Sequence, residues 1–164
     1  MKLYHGSVDL VNEPRILNGA NYLDFGLGFY TTSSYEQAER WARIKMRRSN
    51  VSAGYVSVYD FDLVKAEKDC VIARFNHPDE AWLRFVTGHR QGSAPDAECD
   101  LHIGPVADDN VYRTIRLFET GVYDVEETIK RLKTEVLHDQ WVLHTPKALS
   151  YLTFLEAKLI HQEA

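Results

Sequence analysis

Apolar runs and amphipathic segments alternate along this chain, and the clearest pattern predicts a helix over residues 35–48. Its apolar positions recur at helical spacing and share one face. These positions are Tyr35, Ala38, Trp41, Ala42 and Ile44. The segment Ser33-Ser34-Tyr35-Glu36 matches a capping box, in which a hydroxyl and a carboxylate satisfy the first free N–H groups of a helix. The pattern therefore indicates an amphipathic helix with a defined start.

The other apolar runs predict strands and further helices. Strands are expected at 1–5, 28–32, 55–63, 99–103, 141–145 and 151–160. Helical segments are expected at 78–88, closed by Gly88, at 110–119, at 124–136, and as a single turn after Thr145-Pro146. The strand spacing is too irregular for a repeated strand–helix–strand unit, and no repeat or linker is visible. We therefore expect one α+β domain over residues 1–164.

Composition narrows the class of protein without naming its chemistry. Hydrophobic residues make up 45% of the chain and charged residues 26%, which is typical of a globular domain. The net charge of −5 argues against a generic attraction to nucleic acid. A basic run lies within the predicted helix and is expected to form its solvated face. It consists of Arg40, Arg43, Lys45, Arg47 and Arg48.

The cysteines and the N-terminus favour a cytoplasmic location. Cys70 and Cys99 have no C-x-x-C spacing, and no histidine stands near either in a ligand pattern. We expect reduced thiols and predict no metal site. No basic segment leads into an apolar run at the start, and no apolar stretch is long enough to span a membrane. A membrane partner is therefore not expected.

Two glycine-containing segments near the N-terminus indicate a ligand site. Leu3-Tyr4-His5-Gly6-Ser7 reads as the first strand, and Gly26-Leu27-Gly28-Phe29-Tyr30 leads into the second. Glycine weakens a strand, and its usual purpose there is to let a ligand or another backbone approach closely. Taken singly, a histidine such as His5 is more often a hydrogen-bonded core residue, and a tyrosine such as Tyr30 is more often a core aromatic. The two segments occur in order on two predicted strands that a predicted helix follows, and this combination favours a binding site.

These segments resemble the ADP-ribosyltransferase superfamily, in its His-Tyr-Glu branch with diphtheria-type toxins and poly(ADP-ribose) polymerases. The resemblance extends to a bacterial family of uncharacterised domains grouped with that branch, through segments 104–109 and 140–145. It implies a split, strongly bent β-sandwich core with flanking helices. It also implies that NAD is the co-substrate and that the bond between ribose and nicotinamide is broken.

The resemblance also implies roles for individual residues. His5 would hydrogen-bond the adenosine-side ribose, Gly6 would offer its backbone to the nicotinamide carboxamide, and Tyr30 would stack on the nicotinamide ring. The other residues expected around NAD are Ser7, Gly28, Phe29, Thr31 and Ser34.

The third member of the triad departs from the family pattern. A glutamate should begin a late strand, but Gln140 occupies that position, so it completes the expected set His5, Tyr30 and Gln140. Glutamine can hydrogen-bond a ribose hydroxyl but has no charge to stabilise an oxocarbenium ion. Gln140 equally fits a solvent-facing residue at a strand start. Four carboxylates could substitute for the glutamate, two of which also fit a helix N-terminus. They are Glu98, Asp108, Asp109 and Glu119.

Three functional hypotheses follow. The first is a mono-ADP-ribosyltransferase of the glycosyltransferase class, acting on an unknown acceptor. The resemblance adds a toxin-like effector with a neutralising antitoxin partner. The second is a non-catalytic module that binds NAD or ADP-ribose. The third is a relative of RNA 2′-phosphotransferases, which the acidic net charge and the lack of a basic cleft in the sequence disfavour. The acceptor-side loop is expected at 12–23 or 89–97.

Overall fold

The computed structural model describes residues 1–16, 23–94, 98–107, 109–135 and 137–161. Within these ranges the chain is a mixed α+β fold of seven strands and six helices. The strands are β1 (Lys2–Ser7), β2 (Phe29–Thr31), β3 (Ala53–Phe61), β4 (Ile72–Arg74), β5 (Leu101–Pro105), β6 (Asp139–Leu143) and β7 (Leu152–His161). The helices are α1 (Tyr35–Ser49), α2 (Leu63–Asp69), α3 (Glu80–Arg90), α4 (Asp109–Glu119), α5 (Val125–Leu132) and α6 (Pro146–Leu149).

The strands form two sheets. The first has the order β1-β3-β7 and is antiparallel, and the second has the order β2-β6-β5-β4, with β4 parallel to β5. A bridge between Tyr4 and Thr32 joins them: the Tyr4 N–H donates to the Thr32 carbonyl at 2.9 Å, and the Thr32 N–H donates to the Tyr4 carbonyl at 3.0 Å. This bridge holds β1 beside the end of β2. His5 and Tyr30 therefore lie on adjacent strands of different sheets.

Alternating side chains of β6 serve two hydrophobic clusters. Trp141 and Leu143 join a cluster built from both sheets, which also contains Leu3 and Phe61. Val142 points the other way, into a cluster with residues of α3, α4 and α5. Each large side chain that is fully buried stabilises the fold by about 1.5–3 kcal/mol. Since both of its faces are covered, β6 has a fixed register and holds its neighbours in place.

Helix α1 packs on the first sheet through a glycine contact. The Ser34 hydroxyl, rather than that of Ser33, caps the helix by accepting from the Gln37 N–H at 3.2 Å. Asn50, in the left-handed conformation (φ 53°), follows the last helical residue, Ser49. A Cβ added at Gly6 would lie 1.9 Å from the Ala38 carbonyl oxygen. Only glycine at position 6 allows the helix to approach β1 this closely.

The structure corrects several expected boundaries. The helix predicted at 35–48 is confirmed, but α2 and β4 have no counterpart among the predicted elements. Leu63 begins α2 instead of ending β3, because the Asp62 carboxylate accepts from the Lys65 N–H and caps a new helix. Gly88 lies inside α3, which continues to Arg90, and its carbonyl accepts from the N–H groups of Ser93 and Ala94. Helix α5 ends at Leu132 rather than at 136.

No helix in the described part of the chain is both long and apolar enough to cross a membrane.

Candidate functional site

A cleft of about 950 Å³ lies beside α1, with α4 and the end of α3 among its walls, and we call it the cationic cleft. His5, Tyr30 and Gln140 all line it, although they come from β1, β2 and β6. The remaining lining side chains come mainly from the helices and from the segment before β2. They include Arg15, Asp24, Trp41, Ile44, Lys45, Arg48, Arg90, Tyr112, Arg116 and Glu119. The three residues of the expected triad therefore share one cavity.

His5 is held as a neutral imidazole. Its Nδ1 lies 2.6 Å from the Tyr30 carbonyl oxygen, and its ring stacks on Phe29 with centroids 4.5 Å apart. Burial and the nearby Lys45 charge lower the pKa of His5 to about 3, although the hydrogen bond to Tyr30 opposes this. A carbonyl oxygen only accepts, so Nδ1 carries the proton and Nε2 has a lone pair. His5 can thus accept a hydrogen bond from a ligand hydroxyl.

The Tyr30 ring is fixed at its hydroxyl end. The hydroxyl donates to the Gly26 carbonyl at 2.7 Å and accepts from the Phe25 N–H at 3.1 Å. Burial raises the pKa of this phenol well above its ordinary value, so it stays protonated. Gly26 has a φ of 76°, which closes the turn around the hydroxyl. Because the hydroxyl is engaged, the ring is what Tyr30 offers to the cleft.

Gln140 is buried, so the alternative of a solvent-facing residue is wrong. It is only 2% exposed, and its Nε2 donates to the Pro105 carbonyl at 3.2 Å across the β5–β6 pair. Nε2 is then engaged with the backbone, and Oε1 is the acceptor of this amide. Gln140 therefore stands in the cleft with a fixed orientation and no charge.

The two glycines expected near NAD serve packing as well. Gly6 is absent from the described lining, and its carbonyl accepts from Lys45 Nζ at 2.7 Å. Gly28 does line the cleft, and a Cβ there would lie 2.6 Å from Val142 Cγ1. Both glycines are needed because a neighbouring element approaches the backbone. The carbonyl of Gly6 would have to exchange Lys45 for a ligand to play its expected role.

Besides Gly6, four of the residues expected around NAD do not line the described cleft. Phe29 is buried between the sheets, and the buried Thr31 hydroxyl donates to the Trp141 carbonyl. Ser34 caps α1, and Ser7 pairs with Tyr55 at the end of β1. The hydroxyls of Thr31 and Ser34 are therefore engaged with the backbone.

The candidate carboxylates separate into three groups. Glu119 lines the cleft from the end of α4, and Asp24, which was not among the expected carboxylates, lines it from the segment before β2. Glu98 is exposed and absent from the described lining. Asp108 and the side chain of Asp109 lie outside the described residues. Among the described candidates, Glu119 is the one placed in the cleft.

The cleft has the opposite charge to the chain as a whole. Arg15, Lys45, Arg48, Arg90 and Arg116 line it against two described carboxylates, although the net charge of the chain is −5. The expected absence of a basic cleft is therefore wrong. These cations come from α1, α3, α4 and the segment after β1, so no single stretch of sequence displays them. A local excess of positive charge suits an anionic ligand.

Part of the basic run on α1 belongs to this cleft. Arg40 and Arg47 are exposed, as expected of a solvated face, but Lys45 and Arg48 line the cleft. Burial lowers the pKa of Lys45. The interpretation of the run as a solvated face is thus correct for only some of its members.

Arg90 is held with an unused donor. Its Nε donates to the Asp24 carboxylate at 2.6 Å, and its guanidinium lies 4.6 Å from the centre of the Tyr112 ring. Its buried Nη1 has no hydrogen-bond partner among the residues that the structure describes. Buried donors are normally satisfied, so an unpartnered guanidinium N–H beside a cleft indicates a place for a ligand acceptor. Sequence reasoning missed Arg90 because it lies at the end of a helix far from the motifs.

A second group, which we call the Cys–His cluster, consists of Cys99, His102 and His144. Their ligand atoms all lie within 4.8 Å of one another, although no metal site was predicted. Burial lowers the pKa of His102 to about 4, lowers that of His144 and raises that of Cys99. The available signal was the C-x-x-H spacing of Cys99 and His102, and His144 is far from both in sequence.

No curated protein and no solved structure matches this chain. One family model does, over residues 1–154, and its description is a protein of unknown function, DUF3990. Since the match covers nearly the whole chain, the protein belongs to the DUF3990 family.

Proposed function

We propose that this protein is an NAD-dependent mono-ADP-ribosyltransferase that binds NAD in the cationic cleft. The observation that carries the proposal is the convergence of His5, Tyr30 and Gln140 from three strands on one cleft. Their order along the chain is that of the His-Tyr-Glu branch. The proposal includes a split β-sandwich core made of the two sheets and a cytoplasmic location. The toxin-like role in it is what the resemblance implies.

The chemistry of the cleft supports a dinucleotide. Its volume of about 950 Å³ is near the upper end of the range for small-molecule sites, roughly 300–1,000 Å³. A diphosphate would meet the arginines and the free donor of Arg90. His5 Nε2 would accept from a ribose hydroxyl. The fixed Tyr30 ring would stack on nicotinamide, which is worth about 0.5–1.5 kcal/mol beyond burial.

In the proposed reaction the bond between ribose C1′ and the nicotinamide nitrogen breaks, and nicotinamide leaves as a neutral molecule. An acceptor nucleophile then bonds to C1′ and releases its proton. The leaving group needs no acid, so the protein contributes orientation and negative potential near the oxocarbenium ion. Gln140 can orient the ribose through its amide oxygen. Glu119 would supply the negative charge and accept the proton of the nucleophile.

Nicotinamide release and label transfer test the proposal. The protein is incubated with NAD labelled in its adenylate phosphate, with and without bacterial lysate. Released nicotinamide and labelled acceptor are expected with the wild-type chain, and Glu119→Gln should lower both by at least tenfold. Glu98→Gln is the matched control, since Glu98 is exposed and outside the described lining. Absence of turnover, together with unchanged NAD affinity in Tyr30→Ala, would overturn the proposal.

The uncharged Gln140 favours a second candidate, a module that binds NAD or ADP-ribose without turnover. Gln140 is held to the Pro105 carbonyl and has no charge to offer the transition state. The variant Gln140→Glu separates the two. A large gain in NAD hydrolysis would indicate a binding module that lost its catalytic carboxylate, whereas a loss of activity would show that glutamine is the working residue.

A further inference from the structure

The Cys–His cluster has the geometry of a small metal site. Cys99 Sγ lies 3.1 Å from His102 Nδ1, which lies 2.9 Å from His144 Nε2. Around a tetrahedral zinc ion, bonds of about 2.3 Å to sulfur and about 2.0–2.1 Å to nitrogen separate neighbouring ligand atoms by roughly 3.3–3.6 Å. These two contacts are about 0.4–0.5 Å shorter than the zinc values, and all three ligand atoms lie within 4.8 Å of one another. The two short pairs must move apart to admit the ion.

The second nitrogen of His144 is already held as metal ligation requires. His144 Nδ1 lies 2.6 Å from the Leu27 carbonyl oxygen. Since a carbonyl only accepts, Nδ1 carries the proton and the lone pair of Nε2 points toward the cluster. Metal-binding histidines almost always donate their other N–H to a backbone carbonyl or carboxylate in this way. The contact fixes both the tautomer and the ring orientation.

An apolar shell surrounds His102. It is only 6% exposed, and the rings of Phe25, Phe75 and Phe85 lie 5.6, 6.2 and 4.8 Å from its own ring. Burying two imidazoles and a thiol costs more free energy than burying hydrophobic side chains of similar size. Their presence together in the core therefore favours a ligand-binding role. Such a shell also limits solvent access and lowers the local dielectric around a metal site.

We propose that Cys99, His102 and His144 bind one zinc ion, with a water molecule in the fourth tetrahedral position. One thiolate and two imidazoles form a ligand set that suits zinc, whereas magnesium and calcium prefer oxygen. The thiol proton is released to solvent when the ion binds. This site is independent of the proposed transferase activity and shares no ligand with the triad.

The ion would brace the wall of the cationic cleft. Its ligands connect the start of β5 with the residue after β6, and His144 extends the connection to Leu27. Leu27 and Gly28 line the cleft, and a Cβ at Gly28 would lie 3.2 Å from His144 Nδ1. Zinc bound behind this wall would hold the segment that positions Tyr30.

Cobalt substitution tests the site directly. The untagged protein is stripped with a chelator, dialysed under reducing conditions and titrated with Co²⁺, then with Zn²⁺. We expect one equivalent per chain, visible bands of tetrahedral cobalt, and a thiolate-to-cobalt charge-transfer band that zinc abolishes. Thermal unfolding should shift upward with zinc, since a ligand of the native state stabilises it.

Two variants and a control make the result decisive. Cys99→Ser should remove the charge-transfer band and weaken zinc at least 100-fold, and His144→Gln should weaken zinc at least tenfold. Cys70→Ser should change neither, because Cys70 is outside the cluster. Circular dichroism identifies variants that fail to fold. If a variant fails, the wild-type titration alone decides whether the cluster binds metal. Sub-stoichiometric binding by the wild type, or a band that persists in Cys99→Ser, would overturn the proposal and leave a hydrogen-bonded cluster.

Discussion

The cationic cleft and the Cys–His cluster lie on either side of the segment before β2, but they organise their polar groups differently. In the cleft, His5, Tyr30 and Gln140 each bond to a backbone group. One face of each side chain is thereby held, and the other remains available to a ligand. In the cluster, the side chains hydrogen-bond to one another instead: the His102 Nδ1–H donates to His144 Nε2, and Cys99 Sγ contacts the same nitrogen of His102. The first arrangement suits an extended organic ligand, and the second suits a compact cation.

The largest expected effect is a loss of stability when the packing of α1, one wall of the cleft, is disturbed. Gly6→Ala places a Cβ 1.9 Å from the Ala38 carbonyl, so α1 must move, and we expect a loss of more than about 3 kcal/mol in the free energy of unfolding. Chemical denaturation measures this loss. NAD affinity should fall with it because α1 supplies Trp41 and Lys45, whereas cobalt binding should persist in the folded fraction.

Gly88→Ala is the control for this substitution. A Cβ at Gly88 would have Ala94 Cβ as its nearest neighbour, at 3.4 Å, and the residue lies inside α3. Alanine should therefore stabilise the protein by about 0.5–1 kcal/mol. Equal stability changes in the two variants would contradict the assigned role of Gly6.

The second effect concerns the pH dependence of stability. His5 has a pKa of about 3 in the folded chain and about 6.5 when unfolded. Between these values the unfolded state binds more protons, so stability falls as the pH is lowered and is independent of His5 above about 6.5. His5→Gln should reduce the slope by up to about 1.4 kcal/mol per pH unit. Urea titrations at several pH values, at equal metal content, measure the slope, and an unchanged slope would contradict a buried neutral His5.

A smaller effect distinguishes the contribution of the Tyr30 ring from that of its hydroxyl. Tyr30→Phe loses the bonds to Gly26 and Phe25, which should cost about 1–3 kcal/mol of stability. NAD affinity should fall less than in Tyr30→Ala, because the stacking ring remains. Tyr59→Phe is the matched control, since it loses a hydroxyl bonded to the Val11 carbonyl away from the described cleft lining. Calorimetric titration with NAD distinguishes them, and equal affinities in all three variants would argue against stacking.

The smallest effect tests the cations one at a time. Arg116→Gln should weaken NAD binding about five- to tenfold, which corresponds to about 1–1.4 kcal/mol. Arg113→Gln, on the same helix but exposed and absent from the described lining, should leave binding unchanged. The difference should shrink as salt is raised. If both variants behave alike, the diphosphate does not lie against α4.

Sequence reasoning reached the motif-bearing part of the cleft and missed the rest. His5, Gly28 and Tyr30 stand within thirty residues of one another on segments with an unusual composition, so their pattern is legible locally. Arg90 and Arg116 are ordinary helical arginines whose role depends on the direction in which α3 and α4 pack. The same applies to Lys45, which the charge pattern assigned to the solvated face of α1.

The expected ligand-binding roles of Gly6 and Ser34 also depend on tertiary packing. Gly6 and Ser34 match a ligand-binding pattern in sequence, but α1 explains both: Gly6 admits the helix and Ser34 begins it. Residue types that suit ligands also suit tight packing and helix capping. Only coordinates distinguish these uses, because each depends on which element lies opposite.

The sequence alone determined the α+β class, the α1 helix, and the order of His5, Tyr30 and Gln140 along the chain. These properties depend on hydrophobic periodicity and local hydrogen bonding, which act over a few residues. The tertiary structure decided that Gln140 is buried, that cations from separate helices share one cleft, and that Cys99 and His102 meet His144. The two histidines are 42 residues apart, and their contact depends on how β5 pairs with β6. Strand pairing is set by packing of the whole core, which no local pattern encodes.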